Sequence, residues 1–166
     1  MRKTALILAV LAVFPAPATA VQRPVPRPGA THSVPLYGEF VRPYDAPEDP
    51  FAPGHRGVDV GAPAGTPVHA SAAGRVSFAG SVAGNRSVTI THDDGIRTSY
   101  SFLQDIEVTQ GGEVKQGDIV GTVGAGHPEA DLPPHVHLSA RRGELYFDPL
   151  ELYVGDSSAD LISLTA

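Results

Sequence analysis

Between Val68 and Val123 apolar and polar residues alternate at a period of two, and no stretch of useful length has helical spacing. Successive side chains on a strand point to opposite faces, so such a pattern describes strands with one buried face. Val68, Ala70 and Ala72 alternate with His69 and Ser71, and Arg75 to Ala79 continues in the same fashion. Val88 to His92 and Ile96 to Leu103 flank Asp93-Asp94-Gly95, the signature of a hairpin. Gly111-Gly112 and Gln116-Gly117-Asp118 mark turns around Val114, and Ile119 to Val123 is a further strand. The expectation is an all-β, antiparallel domain of short strands.

The two ends of the chain read differently. Arg2 and Lys3 precede an apolar run from Thr4 to Phe14, and Ala18-Thr19-Ala20 fits a small-residue cleavage site, so residues 1–20 are expected to be an export signal. The run is too short to span a bilayer, and Pro15 and Pro17 interrupt it. With no cysteine in the chain there is no lipoprotein anchor and no disulfide, and a secreted or cell-envelope protein without a stable membrane anchor is expected. Residues 21–35, VQRPVPRPGATHSVP, read as a proline-rich spacer. Residues 36–154 are the expected folded domain, and 155–166 a tail. Formal charge is -6, or -8 once Arg2 and Lys3 are removed. An acidic chain is a poor nucleic-acid ligand, and any grip on an anionic wall polymer has to come from a specific groove.

Two histidine motifs carry the chemistry: His55-Arg56-Gly57-Val58-Asp59 and His135-Val136-His137. A zinc ion needs donors at about 2.0 to 2.2 Å, and without thiols these are imidazole nitrogens and carboxylate oxygens. On a strand His135 and His137 face one side, roughly 6.6 Å apart. In extended chain His55 and Asp59 would lie roughly 13 Å apart, so the backbone must bend between them, and Gly57 permits a bend. At this level a closed structural site of all four residues is as acceptable as a catalytic one.

The succession HRGVD, GTPVHASAAGRVSFAG, VTITHDDGIRTSYSFL, VTQGGEVKQGDIVGTVG and HVHLS resembles the lysostaphin and LytM type of zinc metallopeptidase, metallopeptidase family twenty-three, from about Gly54 to about Leu152. The resemblance implies an antiparallel β-sheet core of the duplicated hybrid type with a long substrate groove, one Zn²⁺, and endopeptidase action on peptide stems or cross-bridges of peptidoglycan. It implies that His55, Asp59 and His137 are the metal ligands and that His135 is a catalytic acid/base group. It also exposes a departure: where the family carries a second catalytic histidine in a Tyr-x-His-Leu motif, this chain has Tyr100-Ser101-Phe102-Leu103. A phenyl ring neither hydrogen-bonds nor shuttles protons. Weakened catalysis is one expectation; the alternative is a non-catalytic module that keeps its zinc and binds peptidoglycan or activates a hydrolase.

The remaining histidines are weighed against that gap. His127, in the loop GAGHPEADLPP before His135, is a candidate to fill it, the plain reading being an exposed loop residue. His92 at a strand end, His69 facing solvent and His32 in the spacer are expected to be incidental. Tyr100 is expected either to orient substrate or to be structural. The segment VTQGGEVKQGDIVGTVG also resembles the hairpins of biotinyl and lipoyl carriers, but Lys115 lies in Glu-Val-Lys-Gln rather than at a carrier-lysine tip.

Overall fold

The computed structural model describes residues 32–49, 52–127 and 132–153. The expected export signal, residues 21–31 of the spacer and the tail 155–166 lie outside the described residues. Within them the chain forms β1 Glu39–Arg42, β2 Val58–Gly61, β3 Pro67–His69, β4 Gly74–Val82, β5 Asn85–His92, β6 Ile96–Ile106, β7 Glu113–Val114, β8 Ile119–Val123, β9 His135–Arg142 and β10 Leu145–Phe147, closed by a 3-10 turn at Pro149–Tyr153. Every pairing is antiparallel. The main sheet runs β1-β2-β9-β6-β5-β4-β7; β10 adds to β9, and the β3-β8 pair joins through β6. No helix among the described residues is long and apolar enough to cross a membrane.

The period-two pattern is what divides this sheet into two faces. Val58, Val60, Val88, Ile90, Tyr100, Val136 and Leu138 point inward and share one core with Val68 of β3 and Val120 and Val123 of β8. Ser87, Thr89, Ser99, Ser101, His137, Ser139 and Arg141 alternate with them and face the other way. The β4-β5 connection is a two-residue turn, Ala83-Gly84, with φ of 50° and 85°. Both central residues are left-handed, as a hairpin turn matched to strand twist requires.

Two sequence expectations need correction on the buried face, and a third, left open for Tyr100, is decided in favour of the structural role. His32 to Pro35 are not spacer: all four are buried, and the backbone of Ser33 and Pro35 bonds to Ser71 and His69. Their proline-rich context hid the fact that they lie alongside β3. His69 does not face solvent; it is buried and its Nδ1–H donates to the Gly117 carbonyl at 2.9 Å. Strand β3 is covered on both sides, so alternation there does not separate inside from outside. Tyr100 cannot orient substrate, because it is fully buried and its hydroxyl accepts from the Ser71 amide at 2.9 Å.

These residues form one polar network within the core. The Tyr100 hydroxyl contacts Thr98 Oγ1 (3.0 Å) and Ser71 Oγ (3.2 Å). Thr98 Oγ1 lies 2.8 Å from His92 Nε2, while His92 Nδ1–H donates to the Ala73 carbonyl at 2.9 Å. Ser71 Oγ is 3.2 Å from His32 Nδ1, and His32 Nε2 is 2.8 Å from Asp94 Oδ2. Ser71, His32 and Asp94 thus repeat the residue types of a hydrolytic triad, but Ser71 has no exposed surface and no substrate can reach it. Its role is satisfaction of buried polar groups.

Burial drives the pKa of His92 below its ordinary value, against the opposing Ala73 hydrogen bond; the charged or titratable groups around it are His32, Asp93 and Asp94. Folded protein therefore takes up this proton at lower pH than unfolded chain does. Stability is held above the unfolded value of about 6.5 and is lost as pH falls from there through the folded value. Denaturant unfolding at pH 7.5 and pH 5 should show that loss in the native chain and a smaller one in His92→Gln.

Candidate metal centre and catalytic groups

The antiparallel register places Asp59 of β2 directly opposite His137 of β9, and His137 opposite Ser101 of β6. Directly opposed residues on one face have Cβ atoms about 4.5 to 5.5 Å apart, close enough for two side chains to share a ligand. His55 arrives from outside the sheet. Its backbone pairs with Asp45 in an isolated bridge, and the chain bends at Arg56-Gly57 before entering β2. The bend expected between His55 and Asp59 is present. Gly57, however, is needed for space rather than for a left-handed turn: a Cβ there would overlap the Leu138 carbonyl and come within 2.7 Å of the His137 ring.

The three side chains converge. His137 Nδ1 lies 2.8 Å from Asp59 Oδ1, His55 Nε2 3.2 Å from the same oxygen, and the two ring nitrogens 3.0 Å apart. Donors at about 2.05 Å from a tetrahedral zinc are roughly 3.3 Å apart, so the triangle is close to what the ion requires. His55 Nδ1–H donates to the Pro43 carbonyl at 2.6 Å, which leaves the Nε2 lone pair aimed into the triangle. Burial opposes ionisation of Asp59, but the hydrogen bond with His137 and the electrostatic influence of the neighbouring imidazoles outweigh it and hold the carboxyl below its ordinary value. The donor set therefore fits a divalent cation, with one anionic oxygen and two imidazoles.

His135 stands beside the triangle rather than in it. It is fully buried, and its Nε2 is 4.0 Å from Asp59 Oδ2. Its Nδ1–H donates to the Pro133 carbonyl at 2.8 Å, and its Nε2 accepts from the His127 amide at 3.2 Å. That pattern selects the tautomer with a lone pair on Nε2. Gly126 lies over the ring with a φ of 86°, where any Cβ would overlap His135.

Phe102 interrupts β6. Its φ is 65°, uncommon for a bulky residue, and the β5-β6 register shifts beside it. The irregularity aims the ring into the site: its centroid is 5.3 Å from His127, 5.7 Å from His135 and 6.4 Å from His137. His127 thus does reach the site, with its ring against Phe102 and its amide on His135. His92, His69 and His32 lie in the core instead. Arg42, which pairs with Asp59 in register, lines the same cleft together with Val82, Asn85 and Ser87. Sequence reasoning did not single out this wall, because it is assembled from β1 and the β4-β5 hairpin, which are remote in sequence from both histidine motifs.

Sheet and donor set together define a β-protein with a candidate metal centre at the floor of a cleft. The chain belongs to peptidase family M23, whose family model matches residues 53–149. A protein of Mycobacterium tuberculosis described only as uncharacterized is 38% identical over 116 residues, covering 68% of this chain and 46% of that one. The DD-carboxypeptidase/endopeptidase Mpg of Neisseria meningitidis is 40% identical over 88 residues, covering 52% and 20% respectively. The chain therefore spans less than half the length of these relatives. The catalytic domain of the antimicrobial peptidase lysostaphin from Staphylococcus simulans superposes with a TM-score of 0.58 at 26% identity, over 72% of this chain and 96% of that domain. The architecture is accordingly of the lysostaphin/LytM type.

Proposed function

We propose that the protein is an exported zinc metalloendopeptidase acting on the peptide portion of peptidoglycan, with His55, Asp59 and His137 as ligands and His135 as acid/base group. The observation that carries this reading is the convergence of three metal donors, beside the buried His135, at the floor of an open cleft. Family membership, and the activities named for Mpg and lysostaphin, supply the substrate class. The amino-terminal export pattern supplies the compartment.

Zinc, when bound, supplies a Lewis acid for a peptide carbonyl and for water. The chain's own residues do the rest. Asp59 stays ionised and compensates the positive charge; Pro43 keeps His55 oriented. His135 Nε2 takes a proton and returns it to the departing amine, while Pro133 stabilises the doubly protonated ring at Nδ1. To act, Nε2 must exchange the His127 amide for water, and Phe102 offers no second proton carrier.

Those two features support a second reading, a zinc-holding module that binds peptidoglycan without cutting it. Metal analysis of the purified protein followed by incubation with intact peptidoglycan separates them. One zinc per chain with slow release of cleaved peptide, abolished by a chelator, is the expected result. His135→Ala should keep the zinc and lose at least 10²-fold in rate. Full zinc occupancy with no product leaves only the binding module.

A further inference from the structure

The face of the sheet that carries the candidate metal centre continues well past it. In the β6-β9 register His137 stands opposite Ser101, Ser139 opposite Ser99, and Arg141 opposite Arg97. Alternation puts all six on one face, in three successive rows. The rows read imidazole and hydroxyl, two hydroxyls, then two guanidiniums. Four residues of strand separate the first row from the last, roughly 13 Å. All six residues line one groove.

The last row is unusual. Like charges directly opposite each other on neighbouring strands are destabilising unless something anionic lies between them. Here that anion is the Glu144 carboxylate: Arg97 Nη2 donates to its Oε1 at 3.1 Å and Arg141 Nη1 to its Oε2 at 3.3 Å. One carboxylate is gripped by two arginines, one oxygen each. The arginines are positioned by other partners as well, Arg97 by the Gly143 carbonyl at 2.8 Å and Arg141 by the Tyr146 ring, 5.7 Å from its guanidinium. They are 29% and 25% exposed, whereas Glu144 is 84% exposed. An exposed glutamate on a turn contributes little to holding itself there. The fixed part of the arrangement is the pair of guanidiniums, and the replaceable part is the carboxylate.

We propose that Arg97 and Arg141 form a carboxylate subsite for an extended acidic peptide, and that Glu144 occupies it in the absence of that peptide. This inference rests on the groove being the peptide-binding groove of the proposed function. It adds that the groove selects a peptide bearing a free carboxylate about four residues from the segment held over His137. The hydroxyls of Ser99, Ser101 and Ser139 line the way from one end to the other; the first two are already joined to Thr89 and Ser87, and each hydroxyl has capacity for more than one hydrogen bond with a peptide backbone. Guanidinium pairs match the flat, two-oxygen shape of a carboxylate. In a chain with net charge -6 such a site has to be local, since the overall field repels an acidic ligand.

The test is equilibrium binding of the full chain to two matched peptides of about six residues, one ending in a carboxylate and the other in a carboxamide. Binding is read by calorimetry, so the result does not depend on turnover. The carboxylate peptide should bind about tenfold more tightly. That preference should disappear in the R97Q/R141Q double variant and increase several-fold in E144Q, which removes the resident competitor without touching the arginines. Equal binding of the two peptides, or a preference that survives R97Q/R141Q, overturns the subsite and leaves the peptide groove standing. Failure of both peptides to bind overturns the groove reading along with it.

Discussion

Replacing Phe102 by histidine is expected to raise the rate of peptide release by about 10²- to 10⁴-fold, the usual contribution of a positioned acid/base group. The backbone already provides the position. Phe102 sits at a φ of 65° in an irregularity of β6, and its ring centroid is 5.7 Å from His135 and 6.4 Å from His137. Histidine tolerates the left-handed region better than phenylalanine does, so the substitution should leave the fold intact. An imidazole in the same rotamer would bring two ring nitrogens to a position that Phe102 fills with carbon. The check is cleavage of peptidoglycan fragments by the native chain and the variant at matched zinc content. Equal rates would show that the absent histidine is not what limits the site, and would direct attention to the His127 amide on His135.

Gly57→Ala is expected to act in the opposite direction, on the candidate metal site itself. A methyl group at this position meets the Leu138 carbonyl, which belongs to a paired strand and cannot rotate aside, and the ring of His137, 2.7 Å away. One of the two must yield. Moving the carbonyl disturbs the β2-β9 ladder that sets Asp59 opposite His137; moving the ring takes a nitrogen out of the donor triangle. Overpacking of this kind costs about 1 to 3 kcal/mol in stability. The loss in zinc affinity should be of the order of 10- to 100-fold, comparable to removing a group that orients a ligand. Competition titration against a chromophoric chelator, with denaturant unfolding of the metal-free protein beside it, separates the two costs. Native affinity in Gly57→Ala would mean that the site repacks freely.

How much of this was legible in the chain follows from what alternation can encode. Strands β5 and β6 are exposed on one side, so apolar and polar residues take turns and the elements stand out. The donor triangle followed from the resemblance rather than from spacing: the step from His135 to His137 is equally compatible with a four-residue site, whereas the structure brings His55, Asp59 and His137 together and leaves His135 beside them. Alternation fails where both sides of a strand are covered, which is why His69 read as exposed. It also fails across an irregularity. Tyr100 and Phe102 are two residues apart, the spacing of one strand face, but the left-handed backbone at Phe102 sends one ring into the core and the other into the cleft. Proline-rich composition masked His32 to Pro35, whose burial depends on contacts with residues nearly forty positions away. No local pattern reports that.

The opposition of Asp59 and His137 across the β2-β9 ladder has a consequence for folding. Val58 and Val60 flank Asp59 and enter the core, as Val136 and Leu138 do on either side of His137. A slip of one residue in this pairing would turn the carboxylate into the apolar interior and the valines out to water, a change worth several kcal/mol against the misaligned form. The same side-chain alternation that builds the core therefore proofreads the donor set. Chains that acquire a stable interior have, by that fact, set Asp59 opposite His137, and only His55, which arrives from outside the sheet, remains to be brought to the candidate metal centre.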